Sequence, residues 1–392
     1  MSNGLYLNER NQRFINLRTV MEQKGLKAMV IAGHGSMFNR GFVRYVTDAH
    51  MWAADSLVLL PLDGEPVHVQ TTYCSAAIPS QGALQLVPPE NRWVPDFRRA
   101  PKPQAEIISA MNSQSITSGK IGIVGMGKIA TIEAHEALSE AFPRIEFVKS
   151  DFIMERIRAI KSELELTQMR RVWKLAESAI EKFSTIIGPG MTQREAVSEA
   201  TKLVRTGGAF DDLTLVTVGD FKGLPLDIPL DCSDTVEFHL EICGESGHWA
   251  EVNVTCSFRD PDKLELKLMD TELRAFDEIL KHAKPGITLT ELTAIFDETV
   301  IQDGWDMGEK AWHYYFHGQG LDAIEWPFYS PMIDGNRDTP MEEGMVFSYH
   351  PHRDTIPAVN KIPGIYDGFF ITKNGGERLN PDLDINWRIR TK

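Results

Sequence analysis

One eight-residue pattern occurs twice in this chain and constrains its fold more than any other feature. Gly188-Pro-Gly-Met-Thr192-Gln-Arg-Glu195 returns as Lys284-Pro-Gly-Ile-Thr288-Leu-Thr-Glu291. In each copy Pro-Gly ends one helix, and Thr-x-x-Glu starts the next with a capping box, in which side chain and backbone exchange hydrogen bonds across the first turn. The repeat predicts two related halves, each a helix pair packed on strands. The first strand set falls at 213–218, 235–242 and 249–258, the second at 312–316, 345–350 and 367–372. Two such halves leave a cleft between their strand sets, and clefts of this kind hold ligands.

Upstream the texture is different. Residues 9–24 place Phe14, Leu17, Val20 and Met21 on one helical face. Strands follow at 27–32, 56–61 and 66–70, the last two forming a hairpin around Asp63-Gly64. Helices at 104–112 and 130–141 alternate with strands at 120–125 and 145–148. This is an α/β domain, and the change to a long charged helix over 163–187, with Ser162 and Glu165 as its capping box, sets the boundary near residue 158. The expected division is therefore 1–158 and 159–392. Gly122, Gly125 and Gly127 complete no nucleotide-binding pattern. A net charge of −14 argues against nucleic acid and anionic membrane surfaces as partners. Cys74, Cys232, Cys243 and Cys256 show no paired spacing, which fits reduced thiols in the cytoplasm. Neither a signal peptide nor a membrane-spanning run is apparent.

Polar residues interrupt the apolar strands at related places. Glu237, His239 and Glu241 share one face of their strand, and Glu251, Asn253 and Thr255 share a face of the next. His350 breaks the strand that runs into Pro351-His352, and Tyr366 precedes the last apolar run. His317 leads the glycine-rich turn His317-Gly-Gln-Gly-Leu321, which continues to Glu325-Trp-Pro327. Solvated strand faces alternate in the same way. The repeat, which brings these strands to one cleft, turns the set into a candidate site. Between Tyr45 and Ser56, His50 and Trp52 are candidates for a lid that contacts ligand across a subunit boundary.

The pattern resembles the creatinase/prolidase/methionine-aminopeptidase superfamily, whose C-terminal domain is the pita-bread fold. Arg156-Ile-Arg-Ala-Ile-Lys-Ser162 looks like its linker, the Pro-Gly-x-Thr repeats like its helix starts, and His317-Gly-Gln-Gly like its HGxG motif. Glu343-Gly-Met-Val-Phe-Ser-Tyr-His-Pro351 is similar to the stretch that ends in Glu-Pro in most members. The resemblance implies a creatinase-type N-terminal α/β domain, a pita-bread catalytic domain with pseudo-twofold halves, and a homodimer. It also implies two metal ions held by two aspartates, a histidine and two glutamates, and here the chain departs from the family. Those positions fall at His239, Glu251, His317, His350 and Tyr366; a further histidine falls at Ile324, and one expected upstream has no counterpart in the stretch Lys222 to Leu230.

With only Glu251 able to bridge, a two-metal peptidase is not expected. Two mechanisms remain. In one, His239, Glu251, His317 and His350 hold one divalent transition metal (Zn, Fe or Mn). In the other no metal binds, His317 is the general base, Glu251 and Glu241 bind or protonate substrate, and Tyr366 stabilises an oxyanion. His50, Trp52, Asn253, His352 and Glu325 are the expected substrate contacts. The leading expectation is a small-molecule hydrolase or lyase acting on a C–N or neighbouring bond. Its alternatives are an Xaa-Pro-dipeptidase-like enzyme with altered ligands and a non-catalytic binding protein.

Overall fold

Strand β1 (Leu26–His34) is buried along nearly its whole length, as expected of a central strand covered on both faces. It belongs to the first of two compact units, Met1–Arg158 and Ala159–Lys392, into which the chain divides in a computed structural model. The structure describes residues 3–51, 55–71, 92–219, 221–306, 316–329, 337–351 and 364–390.

In the first unit α1 (Asn3–Gln23) leads into β1, and α2 (Gly41–Thr47) follows it. Next come β2 (Asp55–Pro61), β3 (Val67–Thr71), β4 (Asp96–Ala100), α3 (Pro103–Ser113), β5 (Gly119–Val124), α4 (Ile132–Ala141) and β6 (Ile145–Lys149). α5 (Asp151–Ala159) runs across the boundary between the units. The sheet order is β4-β3-β2-β1-β5-β6. β2 and β3 form the expected antiparallel hairpin, pairing Ser56 with Gln70 through Leu59 with Val67. Val30, Leu59, Ile107, Met111, Ile121 and Leu138 centre its core. The sequence reading gives no element at α2. The helix is buried throughout, and the Arg13 guanidinium lies 4.2 Å from the Tyr45 ring centroid while donating to the Tyr45 carbonyl at 3.0 Å.

The second unit contains the two expected halves. α6 (Glu163–Ile186) and α7 (Gln193–Thr206) precede β7 (Asp211–Val218), β8 (Phe221–Gly223), β9 (Thr235–Cys243) and β10 (Trp249–Ser257). α8 (Lys263–His282) and α9 (Leu289–Gln302) precede β11 (Phe316–Gly318), β12 (Glu325–Phe328), β13 (Val346–Tyr349), β14 (Asp367–Thr372) and β15 (Gly375–Arg378). The short β16 (Arg388–Ile389) returns to the first sheet, giving orders β16-β10-β9-β7-β8 and β12-β11-β13-β14-β15. Capping boxes form at Ser162/Glu165, Thr192/Glu195 and Thr288/Glu291, where the sequence places them, and a fourth at Asp262/Glu265. Of the strand expected at 312–316 only Phe316 is described, and it starts β11.

Each half has its own aromatic core, with Phe183 stacked on Phe238 (centroids 4.4 Å apart) and Phe276 on Tyr349 (4.7 Å). Gly368 lies flat beneath Trp173: a Cβ there would stand 2.2 Å from the indole, so no other residue fits without displacing it. No described helix is long and apolar enough to cross a membrane.

Two measurements follow from this architecture. Thr192→Ala and Thr288→Ala each remove a cap acceptor, at about 1 kcal/mol apiece. The two caps share no partner, so denaturation of the double variant should show additive losses. His68 is buried, its Nε2 2.8 Å from Ser56 Oγ, and burial pushes its pKa down from 6.5 to about 3. Between these values the unfolded chain holds the extra proton. Stability is therefore unaffected by His68 above pH 6.5 and falls as pH drops through the window, by at most about 1.4 kcal/mol per pH unit. His68→Asn should flatten the stability profile there, and an unchanged slope would contradict this assignment.

Candidate active site

The register of β9 and β10 pairs Glu241 with Glu251 and His239 with Asn253, which puts these four side chains on one face. In the other half, β11 and β13 pair His317 with Ser348, again on one face, and β13 and β14 pair Tyr349 with Asp367. The next residues outward on β13 and β14 are His350 and Tyr366, whose ring centroids stand 4.1 Å apart. The two faces meet at Glu251.

Both carboxylate oxygens of Glu251 are engaged. Oε2 accepts from Ser348 Oγ at 2.6 Å and lies 3.0 Å from His317 Nε2. Oε1 lies 2.8 Å from His350 Nδ1 and 3.2 Å from His239 Nε2. His239 Nε2 is also 3.4 Å from Glu241 Oε1. Glu251, His239 and His317 are all buried, so the face is not a solvated one. Burial alone would push Glu251 up, but the His350, His239 and His317 imidazoles hold it well below the usual carboxylate range. Burial likewise opposes charge on His239, yet Glu241 and Glu251 raise it to about 9. His317 is raised against burial by Glu251, whereas for His350 burial wins and the pKa falls.

The imidazole of His317 has a fixed orientation. Its Nδ1 lies 2.9 Å from the Gly318 carbonyl, an acceptor only, so Nδ1 carries the proton and Nε2 faces Glu251. The turn that follows has no left-handed glycine at 318 or 320. The glycines are there for space: a Cβ on Gly318 would lie 2.6 Å from the Trp326 carbonyl oxygen, and one on Gly320 would lie 2.7 Å from the Glu325 carboxylate.

His239, Glu251 and His350 offer one ligand atom each, all within 4.8 Å of one another. His239 Nε2 and Glu251 Oε1 are buried and close, yet neither makes a well-directed hydrogen bond. Donors about 2.1 Å from a common ion, at roughly right angles, stand about 3 Å apart. The two imidazoles and the carboxylate therefore fit one divalent transition ion. The residues do not fit a carboxylate-bridged pair. Apart from Glu251 and Glu241, which lies 3.4 Å from His239 Nε2, the nearby carboxylates are committed elsewhere: Glu237 accepts from Asn253 Nδ2 (2.9 Å), Glu325 meets Lys161 Nζ (2.7 Å), and Asp367 meets Arg378 Nε.

Several expected residues take other places. Asn253, expected to touch substrate, uses its amide on Glu237 and the Gly364 carbonyl and accepts from Tyr366 N at 2.9 Å, so it fixes the start of β14. Glu325, also expected as a substrate contact, is buried with Lys161 and accepts the Leu321 and Asp322 amides at 2.7 and 3.2 Å. It ties down the turn after His317. His317 stands outside the ligand trio and reaches the other oxygen of Glu251. His50 belongs to the first unit, where its Nδ1 is 3.4 Å from Arg44 Nη1. Trp52 and His352 lie outside the described residues. Ser348 was not anticipated, although its spacing of two from His350 puts both on one face. Lys161 was read only as linker.

The metallopeptidase family M24 model matches residues 167–383, and the creatinase/prolidase N-terminal domain model matches residues 13–160. The chain belongs to metallopeptidase family M24. It is similar to the Xaa-Pro dipeptidase of Pyrococcus horikoshii (29% identical over 242 residues) and that of Pyrococcus furiosus (28% over 243). Each alignment covers 60% of this chain and 66% of the relative, just under two thirds. Among solved structures, an Xaa-Pro dipeptidase from Bacillus anthracis superposes with a TM-score of 0.75 at 19% identity, covering 97% of this chain and 99% of that one. An X-Pro aminopeptidase from Thermotoga maritima gives 0.77 at 19%, covering 96% and 99%. The fold is thus the expected one: a creatinase-type α/β domain followed by a pita-bread domain.

Glu251 raises the pKa of two imidazoles, His239 to about 9 and His317 above its ordinary value. With chelator-washed protein labelled at histidine, NMR should find His239 still protonated at pH 8, and Glu251→Gln should lower its pKa by about one unit or more. A His239 that titrates near 6.5 in both proteins would contradict the arrangement.

Proposed function

We propose that the protein hydrolyses the amide C–N bond of a short Xaa-Pro-type peptide at a mononuclear centre held by His239, Glu251 and His350. One observation carries this reading: His239 Nε2 and His350 Nδ1 converge on a single oxygen of Glu251, at 3.2 and 2.8 Å. The similarity to Xaa-Pro dipeptidases supports a peptide substrate over the small-molecule substrates first expected. When bound, a divalent ion supplies Lewis acidity toward the scissile carbonyl and toward water.

The chain's own groups do the rest. Glu251 is held anionic by its imidazoles, and Ser348 fixes the rotation of its carboxylate through Oε2. His317 handles a proton at Nε2, because Nδ1 is committed to the Gly318 carbonyl. Its raised pKa suits delivery of that proton to the departing nitrogen. Glu241, half-buried beside His239, takes the proton of the attacking water in this scheme. Tyr366 packs on His350 and His239 and takes no part in bond cleavage in this scheme.

A second reading rests on the 3.0 Å contact between His317 Nε2 and Glu251 Oε2. It is metal-free acid–base hydrolysis of a small C–N substrate, as in creatinase. Assays on glycyl-L-proline and related dipeptides, after chelation and after reconstitution with Zn, Mn or Fe, separate the two. The mononuclear reading expects turnover only in the loaded enzyme and a loss of about 100-fold or more in kcat/KM for His350→Ala. Turnover that survives chelation would favour the second reading.

A further inference from the structure

Tyr366 has two sides. Its ring lies against His350 and His239, with centroids 4.1 and 4.9 Å away, while its hydroxyl points to a residue outside the imidazole cluster. That residue is Lys222, on the three-residue edge strand β8, and its Nζ stands 3.5 Å from Tyr366 Oη and 5.9 Å from the ring centroid. Lys222 is exposed and Tyr366 is buried. Among the described residues no carboxylate lies within 4.0 Å of the ammonium, although the chain carries 55 acidic residues and a net charge of −14. Lys222 thus stands at the rim of the imidazole cluster with its ammonium uncommitted to any described carboxylate.

The position of Tyr366 is not adjustable. Asn253 Oδ1 accepts from its backbone N–H, Asn253 is itself held by Glu237, and Gly368 two residues on is pinned beneath Trp173. The phenol is therefore a fixed donor, and Lys222 is a mobile point charge on a four-carbon stem that reaches it. Two donors 3.5 Å apart match the two oxygens of a carboxylate, which accepts both at once.

We propose that Lys222 and Tyr366 form an anion subsite that binds a carboxylate of the substrate and thereby restricts the enzyme to carboxylate-bearing substrates. The proposal rests on the reading above only in placing substrate at the Glu251 cluster. A dipeptide with a free C-terminus satisfies it, and so does a small C–N substrate that carries an acid. Lys222 is here a specificity-determining residue, with no part in bond cleavage.

The test measures binding apart from turnover. Calorimetry with L-proline and with creatine, each beside its carboxamide, is run on wild type, Lys222→Met, Lys222→Arg and Tyr366→Phe. Wild type is expected to prefer at least one acid over its amide by about 10-fold or more, from a charge-assisted contact. Lys222→Met should abolish the preference by weakening the acid alone, Lys222→Arg should keep most of it, and Tyr366→Phe should reduce it about threefold. If glycyl-L-proline is a substrate, Lys222→Met should raise its KM about 10-fold and change kcat less than about threefold. Equal binding of acids and amides by wild type overturns the proposal, as does a preference that survives Lys222→Met. A Lys222-dependent preference for creatine without dipeptide turnover keeps the subsite and rejects the peptidase reading.

Discussion

A single buried carboxylate ties together the two sheets of the second unit. Glu251 sits on a strand of one sheet, and three of its four close partners, Ser348, His317 and His350, come from the other. An ionised carboxylate so deeply buried is tolerated only when it is fully compensated. Its compensation is the site itself: two imidazoles whose pKa it raises, a third whose pKa burial lowers, and a hydroxyl. Removing one member leaves a buried charge without its partner, so the cluster behaves as a unit in which single substitutions are not additive.

The pseudo-twofold repeat explains how that cluster is assembled. Each half starts with a capped helix pair that covers one face of a sheet and leaves the other face to meet its counterpart. Within a half, antiparallel register brings polar residues together in pairs: His239 and Glu241 with Asn253 and Glu251, His317 with Ser348. Support comes from residues fixed by long-range partners. Asn253 fixes the chain at Tyr366, and the buried Lys161–Glu325 pair holds the turn that orients His317.

Much of this was legible in the sequence, because the signals were local. Thr-x-x-Glu after Pro-Gly encodes a helix start within four residues, and both repeats form their capping boxes. Period-two alternation assigns faces within one strand, which is why His239, Glu241 and Glu251 could be grouped. What alternation cannot report is which residue of another strand lies opposite. Asn253 and Glu325 are therefore read from the sequence as substrate contacts, whereas long-range partners hold them. The role of Lys161 depends on a residue 164 positions away. His317-Gly-Gln-Gly was legible as a motif, but its glycines serve close packing against Trp326 and Glu325, which no turn propensity encodes.

We read the cluster as a site for one ion, because His239, Glu251 and His350 offer ligand atoms within 4.8 Å of one another. Metal stoichiometry tests that claim most directly. Chelator-washed protein titrated with Co(II) and read by both absorption and elemental analysis should saturate at one ion per chain, and Glu251→Gln should abolish uptake at that site. Two ions per chain, or one ion bound equally well by Glu251→Gln, would contradict the account of Glu251 as the centre of a mononuclear site.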